Sequence, residues 1–86
     1  MQPYEVVMAR SARKELERLE VRLAHRIIWH IEALAQQPRP SGCSKLQGSS
    51  DLWRIRVGDY RIVYCINEQA RFVDVSVIRH RKDAYR

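Results

Sequence analysis

Leu52-Trp53-Arg54-Ile55-Arg56-Val57-Gly58-Asp59-Tyr60-Arg61-Ile62-Val63-Tyr64-Cys65-Ile66 is the stretch on which the fold turns. Its first six residues alternate strictly, so Trp53, Ile55 and Val57 share one face of a strand while Arg54 and Arg56 share the other. Gly58-Asp59 is a hairpin-type turn. The near-continuous apolar run from Tyr60 to Ile66 predicts a central strand covered on both sides, with Cys65 as a small core residue.

Working downstream, Asn67 to Ala70 turns the chain again, Phe72 to Arg79 gives a third consecutive strand, and His80 to Arg86 is a polar tail. Working upstream, Gln36-Gln37-Pro38-Arg39-Pro40-Ser41-Gly42 holds the strongest breakers in the chain. Before it, Ala12, Leu16, Leu19 and Leu23, then Ile27, Ile28, Ile31 and Leu34, recur at helical spacing, with Ser11 placed to cap the first turn and the helical pattern stopping near Gln37. No Gly or Pro separates Leu19 from Leu23. Length argues for two helices all the same, because one helix of about 26 residues at 1.5 Å each would outrun so small a core. Tyr4 to Met8 reads as a short first strand.

The expected architecture is therefore one α+β domain over residues 1–86: an N-terminal strand, a two-helix hairpin and a three-stranded antiparallel meander, the helices packed on one sheet face. Eighty-six residues leave no room for a second domain. No apolar run is long enough to span a bilayer and the first residues do not read as a leader, which points to the cytoplasm. Cys43 and Cys65 form no CxxC pair and fit a reducing compartment as thiols.

A net charge of +6 and a pI near 9.9 favour polyanionic partners over neutral metabolites. Arg54 and Arg56 project from one side of a strand and Arg61 follows across a tight turn, so three planar guanidiniums, each a fork for phosphate oxygens, converge. Lysine would serve solubility equally well, yet this strand uses arginine throughout. The tail His80-Arg81-Lys82-Asp83-Ala84-Tyr85-Arg86 adds cations, an imidazole and a phenol able to stack on a base. His25 and His30, five apart on a helix, miss the four-residue spacing of a metal pair, and no Cys/His cluster or Gly-rich loop implies a metal or cofactor. Trp29 and Trp53 sit beside apolar residues at the local period and read as packing residues.

Taken together, Lys45-Leu46-Gln47-Gly48, the segment from Trp53 to Tyr64 and the tail from His80 to Arg86 resemble the RelE/ParE superfamily of toxin–antitoxin toxins, most closely its RelE branch. The resemblance implies an mRNA interferase that enters the ribosomal A site and cuts messenger RNA, silenced by a cognate antitoxin. It places the family's paired basic positions on Arg54 and Arg56, its central arginine on Arg61, and its C-terminal basic and tyrosine positions on Arg81 and Tyr85. Better-known relatives carry lysines at the paired positions, and arginine, charged up to pH ~12, is a poor proton acceptor.

On this reading Arg61 and Arg81 stabilise the reacting phosphate, Tyr85 stacks on a base and His80 carries a proton, while Arg54, Arg56, Lys45 and Lys82 hold the RNA. Arg79 matches no family position and is set aside. Two other functions compete: a ParE-like toxin that inhibits DNA gyrase without cutting RNA, and a non-catalytic RNA-binding module.

Overall fold

The computed structural model describes residues 3–48 and 51–82. Strand β3 (Leu52–Val57) and strand β4 (Tyr60–Asn67) form the hairpin that the alternation predicts, with Val57 opposite Tyr60. Gly58 takes φ +59 at the first of two turn positions, a conformation that glycine adopts at no steric cost and that matches the twist of the flanking strands.

Around this hairpin stand β1 (Glu5–Met8), helices α1 (Arg10–Glu17) and α2 (Val21–Ala33), the two-residue strand β2 (Ser44–Lys45) and β5 (Phe72–His80). The sheet order is β1-β5-β4-β3-β2. Strand β1 runs parallel to β5 and the other pairings are antiparallel, so the expected meander is the middle of a five-stranded mixed sheet. The α+β class and the helical hairpin stand as the sequence predicts. Strand β2 was not foreseen.

The helical hairpin breaks without Gly or Pro because Glu20 leaves the helical conformation at ψ 142 and its carboxylate accepts the Arg22 N–H at the start of α2. Ser11 does not cap α1. The cap position falls to Ala9, which makes no side-chain cap bond; its own N–H instead donates to the Val75 carbonyl at 2.8 Å, so the sheet fixes where the helix begins. At its other end α2 finishes at Ala33, short of Gln37, and turns on while the Ala35 carbonyl accepts the Tyr4 N–H at 2.7 Å.

Both helices bury Ala12, Leu16, Ile27, Ile31 and Leu34 against Ile55, Val57, Ile62, Tyr64, Ile66, Val73, Val75 and Ile78. Each fully buried Ile or Leu among these contributes about 1.5–3 kcal/mol. Tyr64 is the largest wholly enclosed side chain; burial, with Cys43 beside it, pushes its phenol up, and its hydroxyl donates to the Pro38 carbonyl at 2.7 Å. That bond ties the core to the loop after α2.

Strand β4 is central, as expected, but it is not covered on both sides. Ile62, Tyr64 and Ile66 are buried under the helices, whereas Arg61, Val63 and Cys65 are only half-buried on the other face. Cys65 therefore lies outside the core. The apolar run looks continuous because the open face keeps an apolar floor of its own.

Candidate nucleic-acid interface

On that open face the register sets Arg56 opposite Arg61 across β3 and β4, and Arg61 opposite Arg79 across β4 and β5. Directly paired residues share a sheet face at a Cα spacing of about 5 Å, so three guanidinium stems stand in one row across the central strands. Arg54, Val63 and Val77 form the next row. There the Arg54 Nη2 donates to Ser44 Oγ at 3.0 Å, which anchors this arginine toward β2.

Arg79 reaches the row through an irregularity in β5. Val77 pairs with Val63 and Val75 with Tyr64, leaving Ser76 as an extra residue whose hydroxyl donates to the Val63 carbonyl at 3.2 Å. Before this bulge Val73 and Val75 are buried; after it the buried residue is Ile78 and Arg79 is exposed. Strict alternation would have sent Arg79 under the helices. The bulge shifts the phase by one residue and re-aims it.

At the end of the row, Arg56, Asp59, Tyr60, Arg61, Arg81 and Lys82 line a cleft of about 270 Å³. The β3–β4 turn holds Arg81 there: its N–H donates to the Asp59 carbonyl at 2.8 Å and its Nε stands 3.8 Å from Asp59 Oδ1. This contact is exposed, so it positions the side chain more than it stabilises the fold.

The structure thus brings Arg56, Arg61, Arg81 and Lys82 together, with Arg54 one row inward. Lys45 is apart from them, since it pairs with Trp53 and shares that residue's helix-side face. His80 is also turned away. It pairs with Tyr60, meets that ring edge-on at 5.2 Å between centroids, and accepts the Lys82 N–H at Nδ1 (3.1 Å). The same bulge that exposes Arg79 gives His80 this placement. Tyr85 lies outside the described residues.

Asp59 is a residue of this candidate site that sequence reasoning missed, and Arg79, set aside there for want of a family position, returns to the row through its register with Arg61. Trp29, read as a packing residue, is two-thirds exposed. Only Trp53 packs against the core, with the Arg39 guanidinium 4.9 Å above its ring.

Three arginine stems in directly opposed positions concentrate positive charge on this face, which favours an anion lying across it. Forked guanidiniums over a shallow apolar floor suit a phosphodiester backbone with its sugars against the sheet. Burial, reinforced by Asp74 alongside, pushes the Cys65 thiol on this floor up and away from its reactive anion.

A five-stranded sheet with a helical hairpin on one face and arginines on the other is the fold shared by RelE-like toxins of type II toxin–antitoxin systems, to which comparison with known proteins assigns the chain. Residues 6–85 match the family described as ParE toxin of type II toxin-antitoxin system, parDE, and the chain belongs to that family. It is similar to Toxin RelE of Mycobacterium tuberculosis, 29% identical over 85 residues that cover 98% of this chain and 88% of the relative.

Among solved structures it resembles the archaeal RelE–RelB complex from Pyrococcus horikoshii, with a TM-score of 0.83 at 27% identity over 92% of this chain and 96% of that one. The RelBE2 toxin–antitoxin complex from Mycobacterium tuberculosis superposes with a TM-score of 0.80 at 25% identity, covering 92% and 99% of the two chains.

Proposed function

We propose that the protein is a ribosome-dependent endoribonuclease that cuts messenger RNA in the A site and thereby inhibits translation. The observation that carries this reading is the in-register row Arg56, Arg61 and Arg79, continued by Arg81 and Lys82 at the cleft. In the proposed reaction a ribose 2′-oxygen attacks the adjacent phosphorus and the bond to the next nucleotide's 5′-oxygen breaks. The products are a 2′,3′-cyclic phosphate and a 5′-hydroxyl. The 2′-hydroxyl proton passes to solvent, which returns one to the leaving oxygen; no metal takes part.

Arg61 and Arg81 stabilise the charge gathering on the five-coordinate phosphorus, a donor effect worth roughly 3–4 kcal/mol per well-aimed group. Arg54 and Arg56 position the backbone, and Arg79 joins them because it stands opposite Arg61. His80 orients the Lys82 segment through Nδ1. Tyr85 stacks on a base to hold in-line geometry.

Strands bound only by this shallow face are not forced into line, which gives the ribosome its role as the partner that distorts the messenger. The similarity to RelE–RelB complexes supports a cognate antitoxin as partner, and the charge of the arginine face makes that face its proposed docking surface. The test is to change Arg61 and Arg81 singly to Ala and measure cleavage on programmed ribosomes; unchanged cleavage in both contradicts the assignment.

The matched family's ParE name favours one rival reading, a gyrase-inhibiting toxin whose arginines contact protein. Inhibited supercoiling with intact messenger would establish it.

A further inference from the structure

Helix α2 carries Arg22, Arg26 and Trp29 at four- and three-residue spacing, so the three lie along one face, and all are exposed. This stripe leads from the arginine cleft. The Arg26 Nη1 lies 3.7 Å from the point where a Cβ on Gly58 would stand, and Gly58 lines that cleft. Trp29 lines a second cleft of about 510 Å³ together with His30, Ala33, Pro40, Ile55 and Arg56. Arg56 borders both clefts and joins them.

Three features give the second cleft its chemistry. His30 meets Trp29 edge-on, centroids 5.0 Å apart at 86°, which holds the indole in place while the side chain stays two-thirds exposed. Among the described residues its lining includes no carboxylate; Arg56 supplies positive charge to it, and Arg26 stands three residues before Trp29 on the same helix face. The β2 ladder covers Trp53 and Arg54 and stops there, leaving the following part of β3, which contributes Ile55 and Arg56 to the cleft, unpaired on that edge. A fixed aromatic face between phosphate-binding arginines is how unpaired nucleotides are held, each base stacking while its phosphates are gripped.

We infer that Trp29, with Arg26 and Arg56, forms a second RNA subsite that stacks one unpaired nucleobase outside the cleavage cleft. The inference rests on reading the arginine face as an RNA site and adds a register point to it. A strand gripped at Arg56 turns past the β3 edge and places a neighbouring base on the indole. The base belongs either to the messenger or to an unpaired ribosomal nucleotide, since both present the same chemistry.

The test uses the full-length protein and a fluorescein-labelled, single-stranded 2′-O-methyl RNA, which cannot be cleaved, alongside an abasic strand of equal length. Anisotropy should show W29A binding the base-bearing strand about ten-fold more weakly than wild type, with W29F retaining most of the affinity. Both W29A and wild type should bind the abasic strand equally. An unchanged thermal midpoint for W29A is expected from its exposure and excludes a folding defect.

Equal binding of the base-bearing strand by W29A and wild type overturns the subsite, as does equal weakening on the abasic strand. On ribosomes, W29A weakening only when messenger is present assigns the base to messenger. Weakening with and without messenger assigns it to ribosomal RNA, and no weakening in either overturns the inference. If W29A instead loses its antitoxin while RNA binding holds, the surface is a protein contact and the inference fails. Because the strand is uncleavable, these results stand apart from the cleavage assay that decides the proposed reaction.

Discussion

Arg61 on β4 and Arg79 on β5 stand directly opposite each other on the helix-free face of the sheet, and they do so because Ser76 bulges out of the ladder three residues earlier. One serine left out of the ladder thereby decides which residues of the last strand face away from the helices. Arg79 gains a place in the row, and His80 is turned to Tyr60.

Arg79→Ala should slow messenger cleavage on programmed ribosomes by about 10²-fold, close to the loss in Arg61→Ala, since each removes a donor from the same row. Arg79→Lys keeps the charge without the fork and should fall between. The thermal midpoint of Arg79→Ala should not drop, because Arg79 is exposed and its removal relieves repulsion from Arg61 opposite.

Deleting Ser76 should put β5 back into strict alternation, driving Arg79 toward the core and Ile78 out of it. Burial of an unpaired guanidinium predicts a loss of about 3 kcal/mol or more in urea unfolding. Ser76→Ala, which removes only the bond to Val63, should cost about 1 kcal/mol.

Tyr64→Phe should lower stability by about 1–2 kcal/mol, because the Pro38 carbonyl loses the hydroxyl that serves it from the core. Urea unfolding reads this directly, and cleavage by the folded variant should be unchanged.

Glu68 accepts Tyr4 Oη at 2.7 Å and pairs with Arg39 Nη1 at 2.7 Å, and these contacts hold its carboxyl below the usual carboxylate range. A carboxyl depressed in the folded state contributes stability that is present above its unfolded pKa and lost as pH falls through its folded pKa. Glu68→Gln should therefore be slightly less stable than wild type at neutral pH, and the difference should vanish in acid. A gap that persists below the carboxylate range would contradict this account of the Tyr4–Glu68–Arg39 contact.

The β3–β4 hairpin was legible because alternation and a Gly-led turn fix register locally, and Arg54, Arg56 and Arg61 fell into place with it. The helical hairpin was legible only through length, since its break depends on the Glu20 carboxylate, not on a breaker residue. Arg79 was set aside because no family motif falls on it, and its register with Arg61 could not be read from sequence, since period-two reasoning fails after a bulge and nothing in Val75-Ser76-Val77 announces one. Trp29 was misread for a related reason: its neighbours Ile28 and Ile31 belong to the buried arc of α2, while it stands one step around the helix.

The central claim is most directly tested by adding the purified protein to ribosomes carrying messenger with a vacant A site and mapping the new RNA ends. The account predicts a single cut within the A-site codon, leaving a 2′,3′-cyclic phosphate and a 5′-hydroxyl, and its loss in Arg61→Ala. Intact messenger under those conditions, with DNA gyrase inhibited by the same preparation, would contradict it.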